Sequence, residues 1–139
     1  MSLPDYVRKG KVSASTGSFK TVTGTGDVKS TGGYVYGSTA DAITAYAGGG
    51  QASATLLAAQ VNRIATVATA ADSVKLPVSV AGMVVHVING AASNSMQVFG
   101  SGTDTINDVA TATGVAQAAG KSATYLCPVA GKWYRVLSA

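Results

Sequence analysis

Between residues 62 and 137 the chain alternates short runs of β-branched and aromatic residues with turn signals, roughly one every ten residues. Few folds suit that cadence. Candidate strands fall at 62–68, 72–76, 83–88, 96–99, 115–119, 122–127 and 132–137. Turns are marked by Ala81-Gly82, Asn89-Gly90, Gly100-Ser-Gly102, Gly120-Lys121 and Gly131. Pro77 has no N–H to give a ladder, so the strand before it ends at Leu76 or lies at an edge. Met83-Val-Val-His-Val-Ile88 is nearly all apolar, which predicts a central strand buried on both faces. Residues 103–108 read as a polar turn around Ile106. Residues 55–69 admit two readings. Leu57, Val61 and Ile64 suit a helix face, while Arg63-Ile-Ala-Thr-Val67 suits a strand, and the β-branched content favours a strand over 62–68. The sum predicts an all-β fold, a small antiparallel β-sandwich or barrel, jelly-roll-like.

The rest of the chain differs. Residues 1–50 hold short apolar patches among Gly, Ser and Thr, and glycines at 17, 24, 26, 32, 33 and 37 break every helical window. Lys20-Thr-Val-Thr and Tyr34-Val-Tyr are candidate short strands. Gly48-Gly-Gly50 marks a boundary between an extended arm, 1–50, and a β domain, 51–139. Glutamate is absent, which argues for strand and loop over helix. Charged residues make up 12% of the chain, about half the usual share, so the surface is expected either to lie largely against other copies or a partner or to be a neutral Ser/Thr/Gly surface.

Net charge is +4, with Arg8, Lys9, Lys11, Lys20 and Lys29 outweighing Asp5 and Asp27 near the start. The bases are scattered, without an Arg-rich block, which argues against nucleic-acid binding. Cys127 is a lone cysteine between apolar neighbours and is expected in the core. No apolar leader or span-length apolar run is visible, so no membrane association is expected and the chain reads as soluble and made in the cytoplasm.

Chemistry-bearing patterns are sparse. His86, the single histidine, sits in an apolar strand and reads as a hydrogen-bonded structural residue. Asp104, Asn107 and Asp108 lack calcium-loop spacing and read as local turn chemistry. Gly24-Thr-Gly26 lacks the third glycine and flanking elements of a nucleotide loop. No serine has a plausible His–Asp pair. No enzymatic activity, metal or cofactor is expected. Tyr34, Tyr36 and Tyr46 suit either packing of the arm or a sugar-binding platform.

The order of elements resembles a known module. Asp72-Ser-Val-Lys-Leu-Pro77 is followed by Ala81-Gly82 and a Val-rich strand ending Ile88-Asn-Gly-Ala91. Then come Gln97-Val-Phe99, a turn with Asp104-Thr-Ile-Asn107, Ala119-Gly-Lys121 before an aromatic/Cys strand, and Gly131-Lys-Trp-Tyr134. This set, covering about residues 62–137, is similar to a β module of tailed-bacteriophage virion structural proteins, including capsid decoration (cement) proteins and fibre-like appendages. The resemblance implies a virion component that is a homo-oligomer, a trimer or dimer, with the major capsid protein as partner. On that reading the arm grips neighbouring capsid subunits. The candidate capsid or subunit contacts are Tyr6, Arg8, Lys9, Lys11, Phe19, Tyr34, Tyr36 and Trp133, Trp133 anchoring either the core or a subunit interface. The alternative is a head- or tail-fibre component that binds host surface glycans.

Overall fold

Among the described residues the short apolar runs become ten strands and no helix. A computed structural model describes residues 36–139, which form one unit, Tyr36–Ala139. The candidate strand at 20–23, most of that at 34–36, and the candidate contacts Tyr6, Arg8, Lys9, Lys11, Phe19 and Tyr34 lie outside the described residues.

The strands are β1 (Thr39–Thr44), β2 (Thr55–Leu56), β3 (Val61–Thr66), β4 (Ser73–Lys75), β5 (Val84–Asn89), β6 (Met96–Phe99), β7 (Thr105–Ile106), β8 (Val115–Gln117), β9 (Ser122–Val129) and β10 (Lys132–Leu137). They form a six-stranded sheet, in order β1-β3-β5-β9-β10-β7, and a four-stranded sheet, β2-β4-β6-β8. For three circuits the chain lays one strand in each sheet in turn. Thr39 pairs with Val61 and Val61 with His86, both in parallel, so a circuit takes 22 residues (39 to 61) and then 25 (61 to 86). The smaller sheet repeats the pattern, with Thr55 on Val74 and Val74 on Val98, again parallel. The winding then reverses. β8 lies antiparallel on β6, β9 antiparallel on β5, and β10 folds back on β9.

The chain is therefore a β-solenoid of about four turns with mixed parallel and antiparallel sheets, not the expected antiparallel sandwich or jelly-roll-like barrel. The turn residues mark where strands stop. They do not say whether the chain then returns beside the strand it has left or turns a corner into the opposite sheet. Asn89-Gly90 shows the difference. Neither residue takes a positive φ, and β5 and β6 lie in different sheets, so no hairpin forms there. Gly90 is instead favoured by close approach: a Cβ there would lie 2.9 Å from Arg63 Nε and 3.2 Å from the Ile64 carbonyl, to which its own N–H donates.

The core fills the space between the sheets. Ile64, Val85, Val87, Tyr125 and Trp133 meet Leu57, Val74, Leu76, Met96 and Val98, all buried. Each such side chain contributes about 1.5–3 kcal/mol on leaving water. Leu57 belongs to this core from a corner, and no helix forms over 55–69. β9 runs on to Val129 through Pro128. The proline is tolerated because the β9–β10 register shifts there, between Lys132 and Tyr134.

Buried polar side chains staple one circuit to the next. Asn62 Nδ2 donates to the Ala59 carbonyl of its own corner and to the His86 carbonyl of the next circuit. Asn89 Nδ2 donates to the carbonyls of Asn94 and Gln117, while its Oδ1 accepts from Ala91 N–H. Gln117 Nε2 donates to the Val87 and Lys121 carbonyls, and its Oε1 accepts the Tyr125 hydroxyl. Burial pushes the Tyr125 phenol far above its ordinary pKa, so it stays a neutral donor. Asp72 accepts from the Thr69 hydroxyl and amide and from Gly48 N–H. The Thr69 hydroxyl, then its amide, hold the Asp72 carboxyl below its usual range. Every corner carbonyl or amide satisfied in this way is one that a ladder could not reach. Gly48–Gly50 falls in the turn after β1: Gly48 and Gly50 bond to Asp72 and Ser73 of the next circuit.

Candidate functional site

The six-stranded sheet has two faces, and among the described residues only the inner one is covered. Strand alternation sends Val85 and Val87 inward from β5 and leaves Val84, His86 and Ile88 half-buried on the outside. The strand expected to be buried on both faces is thus buried on one. From β9, Ala123, Tyr125 and Cys127 point inward and Ser122, Thr124 and Leu126 outward. Val61 and Arg63 of β3 and Tyr134 and Val136 of β10 complete the outer face.

Register aligns these side chains in rows across the strands. Val84, Leu126 and Tyr134 form one row; Val61, His86, Thr124 and Val136 form the next. Val136 is 61% exposed and Leu126 40%. His86 Nδ1 lies 3.0 Å from the Thr124 hydroxyl, its cross-strand neighbour. Here the surface dips into a hollow of about 450 Å³ lined by Val61, His86, Ile88, Thr124, Val136 and Leu137.

Charge bounds this apolar field at both edges. On the β1/β3 side Arg63 pairs with Asp41 at 2.8 Å. On the β10/β7 side Lys132 pairs with Asp108 at 2.7 Å, and the Tyr134 hydroxyl donates to the other Asp108 oxygen. The Arg63 hydrogen bond lowers the Asp41 pKa, and the Lys132 and Tyr134 bonds lower that of Asp108. The same Asp108 bond raises the pKa of Lys132 and of Tyr134.

A second apolar feature sits at the corner before β5. Val78 and Val80 are 72% and 60% exposed. Between them Ser79 is buried; its N–H donates to Asp104, and its hydroxyl accepts from Gly131 N–H. Pinning Ser79 inward forces its two valine neighbours outward.

The turn at 103–108 does more than local Asx chemistry. Asp104 holds Ser79, Asn107 accepts the Arg135 amide, and Asp108 binds Lys132 and Tyr134. Asn107 and Asp108 both take positive φ, which frees their side chains to reach across.

Trp133 is wholly buried in the core, the first of its two expected places. Its aromatic bulk did mark an anchor, but the shift in β10 register turns it inward. Tyr36 and Tyr46 are exposed, and Tyr46 forms a backbone bridge to Ser73; Tyr34 lies outside the described residues. Among the described residues no group of three or more His, Cys, Asp or Glu could hold a metal, and no helix is long and apolar enough to cross a membrane. Cys127 is buried.

The outer face was not singled out from sequence. Its signal is that β5 carries apolar residues at both parities, and that β9 adds Leu126 and β10 adds Val136 on the outer parity. No protein-family model, curated protein or solved structure matches the chain.

Proposed function

We propose that the protein is a structural component of a tailed-bacteriophage virion, a decoration protein that stabilises the head by binding the major capsid protein lattice. Three things support the reading: the resemblance of residues 62–137, the low charge of the chain, and above all the rigid presentation of exposed valines. Val78 and Val80 flank a serine fixed at two points, so they meet a partner without an ordering cost. A small stapled body with such a corner suits repeated docking on a lattice, where many weak contacts add up through avidity. Residues 1–35 carry the remaining candidate contacts, Tyr6, Arg8, Lys9, Lys11, Phe19 and Tyr34, and Tyr36 follows them.

The test is to add purified protein to head shells that lack it. The reading expects co-sedimentation that saturates at a fixed number of copies per shell, and shells that then rupture at a higher temperature. Val78→Asp with Val80→Asp should weaken binding while the melting temperature of the free protein stays the same. Absence of shell binding, together with specific capture by host glycans, would replace this reading with the fibre-component one.

A further inference from the structure

We propose that Asn89-Gly90 is a spontaneous deamidation site that the folded corner holds shut, so that opening of the corner between β5 and β6 is recorded covalently and cannot be undone. Asn62, Asn94 and Asn107 precede Arg63, Ser95 and Asp108, whereas Asn89 precedes a glycine. With no Cβ, Gly90 leaves its own amide nitrogen the least hindered of the four towards the preceding side chain.

The chemistry needs only water and hydroxide. Hydroxide removes the Gly90 amide proton, and the nitrogen attacks Asn89 Cγ. An N–Cγ bond forms, the Cγ–Nδ2 bond breaks, and Nδ2 leaves as ammonia with a proton from water. Water then opens the succinimide at either of its carbonyls, leaving aspartate or isoaspartate at position 89. Nothing is oxidised or reduced.

The folded corner blocks each requirement. The Gly90 N–H donates to the Ile64 carbonyl at 2.8 Å, which holds the proton and ties the nitrogen to β3. Asn89 has no exposed surface, so hydroxide does not reach it. Its amide is fixed at both ends: Oδ1 accepts from Ala91 N–H, and Nδ2 donates to the Asn94 and Gln117 carbonyls at 3.0 and 2.9 Å. Cγ therefore cannot swing onto the nitrogen until these bonds open together.

The product does not fit the corner it came from. An ionised aspartate has no N–H to offer, and its carboxylate would face the Asn94 and Gln117 carbonyls away from water. Isoaspartate also inserts a methylene between the Asn89 N–H, which donates to Lys121, and the Asn89 carbonyl, which accepts from Gly120. Modification thus turns a reversible opening into a permanent loss of the native state. The inference does not rest on the shell-binding proposal.

The test is to incubate the full chain at mildly alkaline pH, in buffer and in denaturing guanidinium chloride, and to follow each asparagine by peptide mapping with mass spectrometry. In denaturant Asn89 should convert first, ahead of Asn62, Asn94 and Asn107, and Gly90→Ala should remove most of that reaction. In buffer the conversion at Asn89 should be slower by roughly tenfold or more. On dilution from denaturant, unmodified chains should regain native circular dichroism and chains modified at 89 should not. Asn89→Asp, made directly, should melt below Asn89→Ala at neutral pH. Equal rates in buffer and denaturant, another asparagine converting first in denaturant, or modified chains that regain the native melting temperature would each overturn the proposal.

Discussion

The two faces of the six-stranded sheet are built from similar residues and meet different fates. Val85, Val87, Tyr125 and Trp133 on the inner face are almost wholly removed from water. Val84, Ile88, Leu126 and Val136, their neighbours in sequence, are not. Folding accounts for the first set: the smaller sheet covers it. Nothing in the fold of residues 36–139 covers the second, an apolar set arranged in register and framed by ion pairs. The comparison separates residues that hold the chain together from apolar residues that its fold leaves in contact with water.

Substitutions should therefore divide sharply. Trp133→Ala, inside, should cost about 3–5 kcal/mol of unfolding free energy, read by urea denaturation. Trp133→Phe should cost markedly less, because the indole N–H lacks a hydrogen-bond partner and its removal leaves no new unsatisfied group. Next in size is Asn89→Ala. It strips three hydrogen bonds from a buried corner and should cost about 1–3 kcal/mol.

A pH titration sharpens the inner side further. The Asp72 carboxyl is held below its usual range, chiefly by the Thr69 hydroxyl, so the folded state binds that proton more weakly than the unfolded chain. Its stabilisation is complete above the unfolded value of about 4 and is lost as pH falls through the lower folded pKa. The melting temperature should drop on acidification below about pH 4, and Asp72→Asn should flatten part of that drop. The smallest effect belongs to the outer face. Val136→Asp should change the unfolding free energy by less than about 0.5 kcal/mol, read by urea denaturation.

Strand positions were readable because local chemistry sets them. Glycines 82, 120 and 131 take positive φ, and β6 and β10 begin and end where their apolar runs do. The winding was not readable, because stacked positions share a residue type only in places, as at Ile43 on Ile64 and Val74 on Val98. Asn62 lies beside Val87, and Ile64 beside Asn89. The circuits repeat in shape and differ in sequence, so no period shows. Asn89 carries a strong turn signature yet serves as an internal staple, since a buried amide satisfies a corner as well as it tolerates a turn. β1 and β2 escaped notice for a related reason. Ala42 takes a positive φ and breaks the β1 register, and β2 has only two residues. Of the candidate contacts, Tyr36 is exposed and Trp133 is not, a difference set by strand parity and by the β10 bulge, which turn chemistry alone does not fix.

Hydroxyl-radical footprinting of the free protein addresses the division between the faces most directly. Leu126, Tyr134 and Val136 should react, as should Val78 and Val80, while Trp133 is protected. Protection of Leu126, Tyr134 and Val136, or reactivity of Trp133 in the folded protein, would contradict the account.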